Sequence, residues 1–117
     1  MYLSPIALRD FGFDSSFQIY CVYTIYVEIS FDPAKSERNA AERELPFDLA
    51  AEIDFETALI WVDRRFRYPE TRWLAIGWLR ERLHVLCYVE TEDGIRVISL
   101  RKANLREVRR YGETQSH

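Results

Sequence analysis

Cysteine and histidine are scarce in this 117-residue chain, with two of each. Cys21, Cys87, His84 and His117 form no metal cluster, because two isolated cysteines and two isolated histidines do not make a credible zinc site. Cys87 lies in the apolar run Leu83-His84-Val85-Leu86-Cys87-Tyr88, so it reads as a buried free thiol rather than half of a disulfide. No apolar run is long enough to span a bilayer. The first residues lack the basic start and small-residue cleavage site of a secretory signal. A cytoplasmic protein without metal or other cofactor is expected.

What is present fits one domain. Apolar residues make up 48% and aromatic residues 15%, enough for a modest core and too much for a disordered chain. The net charge of −3 conceals an asymmetry. Residues 1–63 hold 4 Lys+Arg against 12 Asp+Glu (−8), and residues 64–117 hold 12 against 7 (+5). This predicts a basic face beside an acidic one, although charged solvated faces alone would give the same pattern.

Residues 1–18 show no clear periodicity and read as an N-terminal arm or a start assigned too early. Ile19 to Phe31 is rich in Tyr, Val and Ile and predicts a strand. Asp32-Pro33 then opens a helix over Pro33 to Arg43, and Pro46 breaks it. Asp48 can cap a second short helix, Leu49 to Asp54. Four strands follow: Thr57 to Asp63, Glu70 to Leu79, Leu83 to Thr91 and Ile95 to Leu100. The basic loop Arg64 to Pro69 joins the first two of these. Glu92-Asp93-Gly94 makes a hairpin turn, since Asp-Gly supports positive φ angles. Short links make these four strands an antiparallel meander. The expectation is an α+β fold: an antiparallel sheet of that meander plus the N-terminal strand, with two helices after strand one, a C-terminal helix, and the helices on one face.

The chain's most telling stretch is Ile95 to Asn104, with Glu107 and Tyr111 behind it. Ser99 is expected to end the strand, Lys102 to Tyr111 to form the helix, and Gly112 to stop it. Arg96, Arg101, Lys102 and Tyr111 are then expected to converge at one corner of the sheet. Cationic forks beside a phenol suit phosphate recognition and the charge that develops in phosphoryl transfer.

Several ordered motifs resemble one family. They are Asp32-Pro33-x-Lys35-x-x-x-Asn39, Leu45-Pro46-Phe47-Asp48-x-Ala50, Glu70-x-Arg72 and Arg96-Val97-Ile98-Ser99-x-Arg101-Lys102-Ala103, with Glu107 and Tyr111. Together they look like the BrnT toxins, over about Ile29 to Tyr111. The division is then an extension over 1–28, a toxin domain over 29–111 and a frayed tail over 112–117. The resemblance implies a RelE-like fold, metal-independent ribonuclease activity and a type II toxin–antitoxin system. It implies as partner a BrnA-like antitoxin with a ribbon-helix-helix part, in a heterotetramer that reaches operator DNA only through the antitoxin. Relatives often carry Lys-His-Gly where this chain has Glu42-Arg43-Glu44, and Gly where it has Pro69. Glycine would supply a left-handed helix end, at which Glu44 costs about 1 kcal/mol.

Each candidate residue has a structural alternative. Arg96 and Arg101 contact the scissile phosphate, or Arg96 pairs with Glu90 or Glu92 and Arg101 holds a carboxylate. They are five apart and fall on opposite faces of a straight strand, unless the turn after Ser99 releases them. Glu70 and Arg72 share a strand face, as a surface ion pair or as base and phosphate ligand. Arg64, Arg65, Arg67 and Tyr68 grip a single-stranded RNA backbone and stack bases, or solvate a hairpin end. His84 is a proton-transfer or substrate contact, or a hydrogen-bonded structural histidine. Tyr111 is a proton donor, or packs on the sheet. Trp61, Trp73 and Trp78 are core or partner interface. The mechanism expected puts Arg72, Arg96 and Arg101 on the phosphate with Lys102 in support, Glu70 as base and Tyr111 as acid. The competing reading is an inactive antitoxin-binding module serving promoter autoregulation.

Overall fold

The computed structural model describes residues 28–115. The expected start of the first strand at Ile19, the extension before Glu28, Cys21 and His117 lie outside them. Strand β1 (Glu28–Phe31) leads into helix α1 (Pro33–Arg43) and a 3-10 helix (Phe47–Glu52). Strands β2 (Asp54–Val62), β3 (Trp73–Leu79), β4 (Arg82–Glu90) and β5 (Gly94–Lys102) follow, then helix α2 (Leu105–Gln115).

The bounds of α1 follow from local chemistry. Asp32 stays extended (φ −77°, ψ 116°) and its side chain accepts from the Ala34 amide at 2.9 Å, while Pro33 fills the first turn. At the far end Glu44 is left-handed (φ 59°, ψ 30°), and the amides of Glu44 and Leu45 donate back to Ala40 O and Asn39 O. The helix buries only Ser36, so polar ties dock it. Ser36 Oγ accepts from the Phe47 amide at 2.8 Å. Asn39 Nδ2 donates to Leu45 O at 2.7 Å and Leu100 O at 2.9 Å. The expected second helix is instead the 3-10 turn, which begins directly after Pro46 and sinks Phe47 and Ala50 into the core.

The sheet order is β1-β5-β4-β3-β2. The four-strand meander is antiparallel as expected, but β1 lies parallel to β5, so the sheet is mixed. After β1 the chain crosses the sheet through α1 and the 3-10 helix to the far edge. The meander then returns to β1 with β5 running in the same sense. Helices also cover both faces rather than one. Leu45, Phe47 and Ala50 pack with Phe55, Leu86, Tyr88, Ile95, Val97 and Leu100 on the first face. Ala103 and Tyr111 pack with Leu74, Ile76, Leu83, Val85 and Cys87 on the second. Central β4 serves both clusters, which is why its sequence is almost continuously apolar.

Gly94 corrects another expectation. The hairpin forms, with the Thr91 amide donating to Gly94 O at 2.9 Å, but Gly94 has no positive φ. A Cβ there would stand 2.0 Å from Glu28 O, so the close parallel neighbour requires the glycine. Nor does Gly112 end α2, which runs on to Gln115.

Candidate active site

The candidate site lies on the second sheet face and is set by a bulge. β5 does not end at Ser99 but continues to Lys102. Its register against β4 runs Val85↔Arg101, Leu86↔Leu100, Cys87↔Ser99, then Tyr88↔Val97 and Val89↔Arg96. Ile98 is therefore one extra residue. Opposed residues share a face, and Val85, Cys87 and Val89 alternate onto the same one. Arg96 and Arg101 consequently stand on one face, through the bulge rather than the turn into α2.

Around them the face gathers four guanidiniums and three carboxylates. The Asp63 amide donates to Arg72 O at 2.8 Å, which closes the neck of the β2–β3 loop and sets Arg72 beside the sheet. Arg72 Nε donates to Glu70 Oε2 at 3.1 Å, and Arg96 Nη2 lies 4.0 Å from Glu70 Oε1. The Arg72 guanidinium sits 4.1 Å over the Tyr68 ring. Arg65 donates through Nε and Nη2 to the two oxygens of Asp63, each at 2.9 Å, and the Tyr68 hydroxyl donates to the same carboxylate at 3.2 Å. Arg101 grips Glu107 with both Nη atoms, at 2.8 and 2.7 Å. The positive charge of Arg65 is felt at Arg101, and Cys87 feels Asp63, Arg72 and Arg65.

These pairs differ in strength. Asp63, its side chain 1% exposed, is held at a pKa of about 2, chiefly by the Arg65 side-chain hydrogen bond. Glu107 is likewise lowered, first by its Arg101 hydrogen bond. Both pairs are bidentate, the geometry that makes carboxylate–guanidinium contacts strong. Glu70 offers one hydrogen bond to Arg72 and a long contact to Arg96, in a partly exposed setting where such pairs give at most about 1 kcal/mol. An incoming anion can displace Glu70 far more readily than Asp63 or Glu107. Cys87 is a buried free thiol, and burial raises its pKa, which disfavours the thiolate.

Glu70 and Arg72 were expected on a strand, but β3 begins only at Trp73 and both sit in the loop. They still meet each other, and Arg96 meets Glu70 rather than Glu90 or Glu92. Arg64 and Arg67 are exposed and line, with Phe66 and Tyr68, an open cleft of about 370 Å³.

Three candidates stand elsewhere, so the expected convergence at one corner does not occur. Lys102 and His84 oppose each other on the first face. The buried His84 ring donates from Nδ1 to Arg82 O at 2.9 Å, and burial lowers its pKa. Tyr111 shares the arginines' face but is 6% exposed, donates its hydroxyl to Thr57 O at 3.0 Å and packs edge-on against Trp78. Trp78 is level with Leu83 on β4, six residues from Val89, which faces Arg96. That is about 20 Å of strand from Arg96, although Val85, which faces Arg101, is only about 7 Å from Leu83.

Sequence reasoning missed Asp63, which organises Arg65 and Tyr68. Its only signal is an acid directly before Arg64-Arg65. It also missed the reciprocal cap of α2, where the Asn104 and Glu107 amides each donate to the other's side chain at 2.9 Å. Asn-x-x-Glu is a readable capping signature. Two residues of the quoted motifs, Asp32 and Asn39, prove to hold the fold. Among the described residues no group of three or more His, Cys, Asp or Glu is placed to hold a metal ion. No helix among them is long and apolar enough to cross a membrane.

Neither the curated proteins nor the solved structures gave a match. The family model described as the ribonuclease toxin BrnT of type II toxin–antitoxin systems matches residues 31–107. That span runs from β1 through Arg72, Arg96 and Arg101 to Glu107, and the chain belongs to the BrnT toxin family.

Proposed function

We propose that this protein is a toxin that cleaves RNA without a metal, acting in the cytoplasm to halt translation and growth. Membership of a ribonuclease toxin family supports the activity class. The observation that carries the site is Glu70 held between Arg72 and Arg96 by weak contacts, on a face where the other carboxylates are tightly held. A scissile phosphate displaces Glu70 and takes both guanidiniums. The freed carboxylate then accepts the proton of the 2′-OH as that oxygen attacks phosphorus. The P–O5′ bond breaks, leaving a 2′,3′-cyclic phosphate, and water supplies the proton to the departing oxygen. Arg101, fixed by Glu107, adds to the positive field. Carboxylates are weak bases near neutrality, so orientation and electrostatics supply most of the rate. The scheme uses neither Tyr111, whose hydroxyl is donated to Thr57 O, nor His84, which lies on the other face.

The partner proposed is a BrnA-like antitoxin with a ribbon-helix-helix part, in a complex of two toxin–antitoxin pairs that contacts operator DNA through the antitoxin. The type II family supports an antitoxin partner. The test is incubation of purified protein with RNA in EDTA, beside Arg72→Ala and Arg96→Ala. Each substitution is expected to slow cleavage roughly 100- to 1000-fold, as loss of a transition-state donor does. No cleavage by folded protein would overturn the nuclease reading and leave an antitoxin-binding module.

A further inference from the structure

The loop between β2 and β3 is tied down through Asp63, Arg65, Tyr68, Glu70 and Arg72. Asp63 closes its neck and holds Arg65 and Tyr68, and Tyr68 lies under Arg72. Phe66 is the large apolar side chain of this loop that is turned outward. It is 69% exposed and meets the Tyr68 ring in a T-shaped contact, with ring centroids 6.0 Å apart at 76°. On either side Arg64 and Arg67 are exposed, and neither guanidinium has an ion pair among the described residues. A large apolar ring turned to water between two unpaired cations offers most of its surface to a ligand.

We infer that Phe66 is a base-stacking platform that selects single-stranded RNA, with Arg64 and Arg67 on the flanking phosphates. The inference rests on the nuclease reading and adds what that site grips. An unstacked base offers a π-face to a ring, and the backbone on each side of it carries negative charge. A duplex keeps its bases stacked on one another and offers Phe66 nothing. The platform stands on the same loop as Glu70 and Arg72, so a base seated there brings its own backbone to the guanidinium pair. Tyr68 cannot serve this role, because its ring is under Arg72 and its hydroxyl on Asp63.

The experiment measures binding of a single-stranded RNA and of a duplex, both 2′-O-methylated to remove the nucleophile, across a salt series. Phe66→Ala is expected to weaken the single strand roughly 5- to 150-fold with an unchanged salt slope, and to leave the duplex unaffected. Phe66→Trp restores binding. Arg64→Ala and Arg67→Ala each flatten the log–log salt slope by about 0.7, one phosphate contact apiece. An exposed ring carries little stability, so thermal melts verify that the variants are folded. Wild-type binding that Phe66→Ala leaves unchanged, or an equal loss on duplex, overturns the platform while the nuclease reading stands. Wild-type protein that neither binds nor cleaves RNA overturns both.

Discussion

Arg96 and Arg101 stand on the same face of β5 although five positions separate them, because Ile98 adds one residue between them. They differ in what holds them. Arg96 is half exposed and only 4.0 Å from Glu70, whereas Arg101 is clamped on Glu107, which also caps α2. Arg96→Ala is therefore expected to lower cleavage with little change in stability. Arg101→Ala strips both donors from Glu107 and is expected to cost about 1–2 kcal/mol, tempered by its partial exposure, as well as activity. Urea unfolding beside single-turnover cleavage separates the two. Equal stability loss in both variants would contradict the assignment.

Glu44 holds a left-handed position, the conformation that glycine adopts most easily. Glu44→Gly is expected to stabilise the protein by about 1 kcal/mol, since a side chain at φ 59° crowds its own backbone. The urea midpoint should rise while the slope stays fixed. No rise would mean that the lost freedom of the unfolded glycine cancels the gain.

Helix α1 was legible because Asp32-Pro33 and the Pro46 stop are local signals, and the meander because its turns are short. The Ile98 bulge was not legible. Val97-Ile98-Ser99-Leu100 can alternate in either register, and only β4 decides which side chain is surplus. The neighbour of β1 was hidden for the same reason: nothing in Glu28–Phe31 names a strand some 65 residues away as its partner. At the site, the arginines were visible by charge and their counter-ions were not. Asp63 lies next to Arg64 in sequence, yet its burial depends on where the β2–β3 loop folds back.

Two glycines should respond to alanine with opposite signs. Gly94→Ala drives a Cβ to 2.0 Å from Glu28 O, and backbone cannot yield as a side-chain tip can. Separation of β1 from β5 should follow, with a loss of several kcal/mol, as overpacking with strand displacement gives. Gly112 lies inside α2 with nothing within 4 Å of a Cβ. Gly112→Ala should stabilise by about 1 kcal/mol through helix propensity alone. Hydrogen exchange at the β1–β5 ladder and urea melts check the pair, and a destabilised Gly112→Ala protein would place an unseen contact against α2.

Acid should weaken the fold in two windows. Burial lowers the pKa of His84 below its ordinary 6.5, so the unfolded chain binds this proton first. Stability then falls as pH drops below about 6.5 and stops falling from this source once the folded histidine titrates. Asp63 acts lower. Its folded value of about 2 against 3.8 gives stabilisation that is complete above the unfolded value and lost as pH falls through the folded one. That difference corresponds to about 2 kcal/mol. His84→Gln should remove the upper window alone, and Asp63→Asn should shrink the lower one, to which Glu107 also contributes, without touching the upper. It should also free Tyr68 and so loosen the seat of Arg72, which predicts slower RNA cleavage at neutral pH. A variant that lost acid sensitivity but cleaved RNA at the wild-type rate would show that Asp63 holds only the loop and not the site.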